Sequence, residues 1–179
     1  MKILREAKLW LLVVLGAATQ LVPFSSDGSV KWLLFVGEFH PLFVHFPLGL
    51  WAATVLILWV GFRSPALVIE PWLRGGTVAS FWSGILAFLT GLVLYLSGTY
   101  GDEILLHMYA AWVFLLSLFI FEYVLEKGGG MKKRGGLALA VSGVLGYAGH
   151  LGGVITHGDF LESLPWEVQA AVETPVKGT

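Results

Sequence analysis

The feature that most constrains this chain is a succession of long apolar stretches separated by short polar ones. Crossing the hydrocarbon of a membrane takes about 20 predominantly apolar residues in a helix. Five stretches meet or approach that length: Leu9–Phe24, Pro41–Phe62, Val78–Ser97, Ile104–Leu125 and Leu137–Ile155. Of the 179 residues, 56% are hydrophobic and only 13% charged, whereas a soluble domain has about a quarter charged. That balance excludes an ordinary soluble fold, and so much apolar surface excludes a disordered chain. The predicted fold class is an all-α integral membrane helical bundle with five transmembrane helices. It divides into an N-terminal helix and loop (1–30), a four-helix histidine-bearing core (31–157) and a polar tail (158–179).

The linkers are short and rich in helix breakers: Ser25–Ser29, Arg63–Gly76, Gly98–Glu103 and Glu126–Gly136. No soluble domain fits between the spans, and no internal repeat is evident. The first span begins with Lys2, Arg5 and Lys8 and passes through the small residues Gly16, Ala17 and Ala18, which would also suit a secretory leader. The expectation here is a retained helix. Lysine and arginine set orientation. A cytoplasmic N-terminus places nine of the eleven basic residues inside, leaving only Lys31 and Lys177 outside. The expected location is the inner membrane of a bacterium, with the C-terminus in the periplasm.

All five histidines then fall in the outer half of the membrane or at its outer surface. His40 sits at the mouth of span two and His45 about one turn further in. His107 lies about one turn into span four, after Asp102 and Glu103, and His150 and His157 lie near the end of span five. A polar group near the membrane edge is costly without a partner. A ligand shared by His45, His107 and His150 would satisfy all three, with His157 and then His40 as further candidates. Glycines supply the second signal. Gly84, Gly91 and Gly98 recur every seven residues in span three, and Gly149 and Gly153 flank His150 in span five. Small residues allow close helix packing, and beside an imidazole they also leave the flat slot that a porphyrin edge requires.

Three segments carry a family resemblance. His40-Pro-Leu-Phe-Val-His45-Phe-Pro-Leu-Gly-Leu resembles the "HPLxVHFPxGL" signature of a bacterial membrane family that often forms the membrane part of planctomycete-type cytochrome c proteins. Gly98-Thr-Tyr-Gly-Asp-Glu103 with His107 is similar to its "GxYxxE…H" segment, and Gly149-His150-Leu-Gly-Gly153-Val-Ile-Thr-His157-Gly to its "GHxGGxxTHG" close. The resemblance covers about residues 36–162 and implies electron transfer near a cytochrome. The chain departs from the pattern at His107-Met108-Tyr109, where relatives have His-Arg-Trp, and it carries no haem-attaching CxxCH segment. The resemblance then implies that any c-type haem is to be expected on a separate protein.

The chain has no cysteine, which excludes disulfides, thiolate metal sites, iron–sulfur clusters and covalently attached haem. Non-covalent haem b, one or two per chain, remains open, because two histidines on facing helices can hold it as a six-coordinate electron-transfer centre. Glu38, Asp102, Glu103 and Asp159 are candidates to orient the second ring nitrogen of a ligand. Few cations face the expected outer side to pair with propionates, which keeps a bare copper or zinc ion in play. A third alternative is a structural anchor or assembly subunit. The leading expectation is a non-catalytic electron-transfer subunit of a larger membrane redox complex. Its partners would be lipid, other subunits, a c-type cytochrome and, at the outer rim, a quinol. The net charge of −1 gives no support to nucleic-acid binding.

Overall fold

The computed structural model describes residues 2–21, 35–96 and 103–158, and among them there is no strand. Five helices follow one another: α1 (Lys2–Leu21), α2 (His40–Arg63), α3 (Glu70–Leu96), α4 (Glu103–Glu126) and α5 (Met131–His157). The last four are long and apolar enough to cross a membrane, the window for α2 reaching back to Phe35. The first helix is as long as a span, but the basic residues of its first turns dilute its apolar stretch.

The helices begin before the apolar stretches that announce them. The third begins at Glu70 rather than Val78, because Pro71 at its start and the Glu70–Arg74 pair, 3.2 Å apart, suit a first helical turn. The fifth begins at Met131 and takes in Lys132, Lys133 and Arg134, which the sequence placed in a linker. Hydrophobicity marks the part of a helix that can lie in lipid, not where its hydrogen bonding starts.

Packing divides the core into two hairpins. Helix α2 lies against α3 and α4 against α5 most extensively; α3 and α4 join the pairs, while α2 and α5 touch little. The centre is filled by Trp51, Phe81, Leu115, Leu118, Phe121 and Val141. Trp51 meets Phe121 edge-on at 5.2 Å and donates its indole N–H to Ser142 Oγ at 3.0 Å. Buried hydroxyls of Thr54, Thr77 and Ser80 donate to carbonyls four residues back, so they need no partner across the bundle.

One end of the bundle is basic and crosslinked by charge. Lys8 is 1% exposed and donates to both carboxylate oxygens of Glu122, at 2.8 and 2.6 Å, fixing α1 against α4. Trp112 adds a bond to the Leu12 carbonyl at 2.8 Å. Glu70 accepts from Arg134 at 2.7 Å as well as from Arg74, tying the start of α3 to the start of α5. The described histidines all lie toward the opposite end.

Candidate functional site

Two histidines from different hairpins meet. His40, the first residue of α2, reaches across to α3, where its Nδ1 lies 2.9 Å from the carbonyl of Ala87 and 3.4 Å from Thr90 Oγ1. His107, in the second turn of α4, reaches across to α5, with Nδ1 2.9 Å from the carbonyl of Ala148. The ring centroids are 6.1 Å apart and the planes stand at 81°. Both rings are half-buried.

The carbonyls decide the chemistry. A carbonyl oxygen can only accept, so each Nδ1 must carry the proton and donate it. A neutral imidazole has a single N–H, so Nε2 of each ring keeps a bare lone pair. This is the tautomer of a metal-ligating histidine whose second nitrogen is held by the main chain.

Glycine makes room for each ring. A Cβ on Gly91 would lie 2.9 Å from His40 Cε1, and one on Gly152 would lie 3.0 Å from His107 Cε1. Clefts open on two sides of the pair, and both histidines line both. The mouth cleft, about 80 Å³, runs past Gly91, Leu94, Ile104, Gly152 and Thr156. The deep cleft, about 70 Å³, is walled by Val44, Pro47, Gly84, Leu115 and Gly149. Apart from the histidines, Thr156 is the one polar side chain lining either cleft among the described residues.

The other sequence candidates lie elsewhere. His45 is exposed and its Nδ1 donates to Pro41 O of its own helix at 2.6 Å. His150 and His157 are also exposed. Their depth matches that of the pair, but their helical phase does not. At 100° per residue, His45 is turned about 140° from His40, while His150 and His157 are turned roughly 160° and 140° from Gly152. Of the three histidines expected to share one ligand, the structure brings His107 beside His40, while His45 and His150 lie on other helix faces. Of the candidate slot glycines, Gly91 lines the mouth cleft and Gly84 and Gly149 the deep one, whereas Gly153 lines neither. Gly98, Asp102, Asp159 and the side chain of Glu103 lie outside the described residues; Glu38 is exposed.

The inward position of His40 had a sequence signal. His40 precedes the buried Trp51 by eleven residues and His107 precedes the buried Leu118 by eleven, a spacing that returns to nearly the same helix face. Among the described residues no group of three or more histidine, cysteine or acidic side chains converges. Comparison with protein-family models, with curated proteins and with solved structures finds no match to this chain.

Proposed function

We propose that this chain is a membrane-embedded electron-transfer subunit that holds one b-type haem between His40 and His107. The observation that carries the reading is the close pair itself, 6.1 Å between centroids with each Nδ1 engaged on a neighbouring helix and each Nε2 left with a free lone pair. His40 and His107 would hold the group through their free Nε2 atoms. Two imidazoles suit a porphyrin, which brings four donors of its own; a tetrahedral zinc site requires more protein ligands. Bound there, haem would supply reversible one-electron chemistry.

The protein's own residues account for the rest. Ala87 and Ala148 orient the rings through their carbonyls, Gly91 and Gly152 admit them, and the apolar deep cleft excludes water. The mouth cleft, with Thr156, is the side from which polar substituents would reach the membrane surface. With the basic residues on the cytoplasmic side, that surface is periplasmic. The exchange partner there is a separate cytochrome, in keeping with the signature resemblance, and a quinol is a second candidate donor.

The small cleft volumes favour a second reading, in which His40 and His107 would hold a single copper ion. Visible spectroscopy of the purified protein separates the two. A sharp Soret band with an α band on dithionite reduction supports haem. A colourless protein carrying one copper supports the ion, and a colourless, metal-free protein overturns both.

A further inference from the structure

A cavity larger than either histidine cleft lies at the basic end of the bundle. It measures about 280 Å³, against about 80 and 70 Å³ at the histidines. Helix α1 packs on α4 but touches α3 little, so a wedge stays open between α1 and α3 with α4 as its floor. Its charged lining comes from all three helices: Arg5 and Lys8 from α1, Arg74 from α3, Glu122 and Glu126 from α4. Three cations against two carboxylates leave one positive charge in excess.

The three cations are not equally committed. The Lys8 side chain is 2% exposed and bonded to both oxygens of Glu122, so it is closed off. The side chains of Arg5 and Arg74 are 39% and 38% exposed. Arg5 Nη1 reaches Glu126 only at 3.7 Å, too far for a hydrogen bond. Arg74 spends Nε and Nη2 on Glu70 and the Leu125 carbonyl, and its Nη1 makes no hydrogen bond among the described residues. Because the two guanidiniums reach consecutive residues of α4, Leu125 and Glu126, their heads come to the same level. Both retain the N–H donors that suit a phosphate.

Deeper in, the wedge is apolar. Val78 lies about one turn beyond Arg74, and Phe119 about two turns beyond Glu126. The exposed Trp72 on the first turn of α3 is the kind of side chain that marks the membrane surface at this level. We propose that the wedge binds one anionic phospholipid, its phosphate between Arg5 and Arg74 and its acyl chain along Val78 and Phe119. Basic pockets between membrane helices take such headgroups on the cytoplasmic side, where the distribution of lysine and arginine puts this end. A free phosphate shares the headgroup chemistry but makes no use of the apolar depth. A zwitterionic lipid brings its own ammonium, which would oppose the excess charge. The histidine pair plays no part here, so this site and the proposed function stand or fall separately.

The test titrates the delipidated, full-length protein in detergent with dioleoyl phosphatidylglycerol and reads bound lipid by native mass spectrometry. One lipid per chain should bind ahead of the rest, and more tightly than phosphatidylethanolamine with the same acyl chains. Arg5→Gln should weaken that first binding about fivefold, the effect of one basic side chain near anionic lipid. Val78→Phe removes no charge but fills the apolar depth, and should weaken it as well. Arg63→Gln removes a cation at the same end of the bundle but outside the wedge, where it lies over Trp59, and should leave binding unchanged. Equal binding of the two lipids, no loss in Arg5→Gln, or an equal loss in Arg63→Gln overturns the proposal. Wild-type binding in Val78→Phe also overturns it, and displacement by inorganic phosphate would then identify a free-anion site instead.

Discussion

The two ends of the bundle solve the same problem in opposite ways. At the basic end, charged groups pair with one another: Lys8 is buried against Glu122, and Arg134 and the part-exposed Arg74 share Glu70, with Arg134 Nε left buried and without a partner. At the histidine end, His40 and His107 each spend one nitrogen on a main-chain carbonyl and keep the other free, facing apolar clefts. Charges paired across helices hold those helices together. A pair of half-used imidazoles holds helices less firmly and retains the capacity to bind.

Removing one imidazole breaks this contrast most directly. His40→Ala and His107→Ala should each abolish the six-coordinate low-spin spectrum, read as loss of the α band in the reduced protein, with the variants still extracted as folded membrane protein. A retained α band in either would show that the pair is not the ligand set. Next in size is the opposite end. Lys8→Ala leaves Glu122 partly buried and unpaired, which should cost about 3–5 kcal/mol in an unfolding titration while the haem spectrum stays as in wild type. Lys8→Met combined with Glu122→Leu should restore most of that loss, since an apolar pair of similar volume has no charge to strand. Trp112→Phe, which removes the bond to the Leu12 carbonyl, should cost about 1 kcal/mol and loosen α1 alone, seen as faster proteolysis of the N-terminal segment. The smallest effects belong to the exposed imidazoles. His45→Ala and His150→Ala should leave the visible spectrum unaltered and move stability by less than about 0.5 kcal/mol.

The helices were legible because length and hydropathy are properties of a segment by itself. Three of the five apolar stretches lie within helices able to span a membrane, a fourth, Val78–Ser97, does so up to Leu96, and the fifth, Leu9–Phe24, overlaps a helix held by Lys8 and Trp112. The site was legible only in part, because depth and azimuth carry different information. Depth along a helix can be counted from the residues, and it placed all five histidines near one end. Azimuth depends on which face a helix buries. Reading His40 against Trp51, and His107 against Leu118, would have separated the inward pair from His45, His150 and His157. The carbonyl tethers at Ala87 and Ala148 could not be foreseen, since any residue offers a carbonyl and only the packing selects one. The matched placement of the two hairpins around the deep cleft was hidden for a related reason: His40 with His107, Leu48 with Leu115 and Ala87 with Ala148 repeat a residue, but pairs such as Pro47 and Phe114 between them do not.

The light contact between α2 and α5 has a consequence for assembly. These helices meet through the Trp51–Ser142 bond and at Phe62 beside Gly135, both farther toward the basic end than the histidines. Helices α3 and α4 act as the spine of a book whose opposite edge is unbound near the top. Under the proposed function, a flat guest arriving sideways from the lipid could enter between α2 and α5 after the polypeptide is inserted, and loading would not have to be coupled to synthesis of the chain.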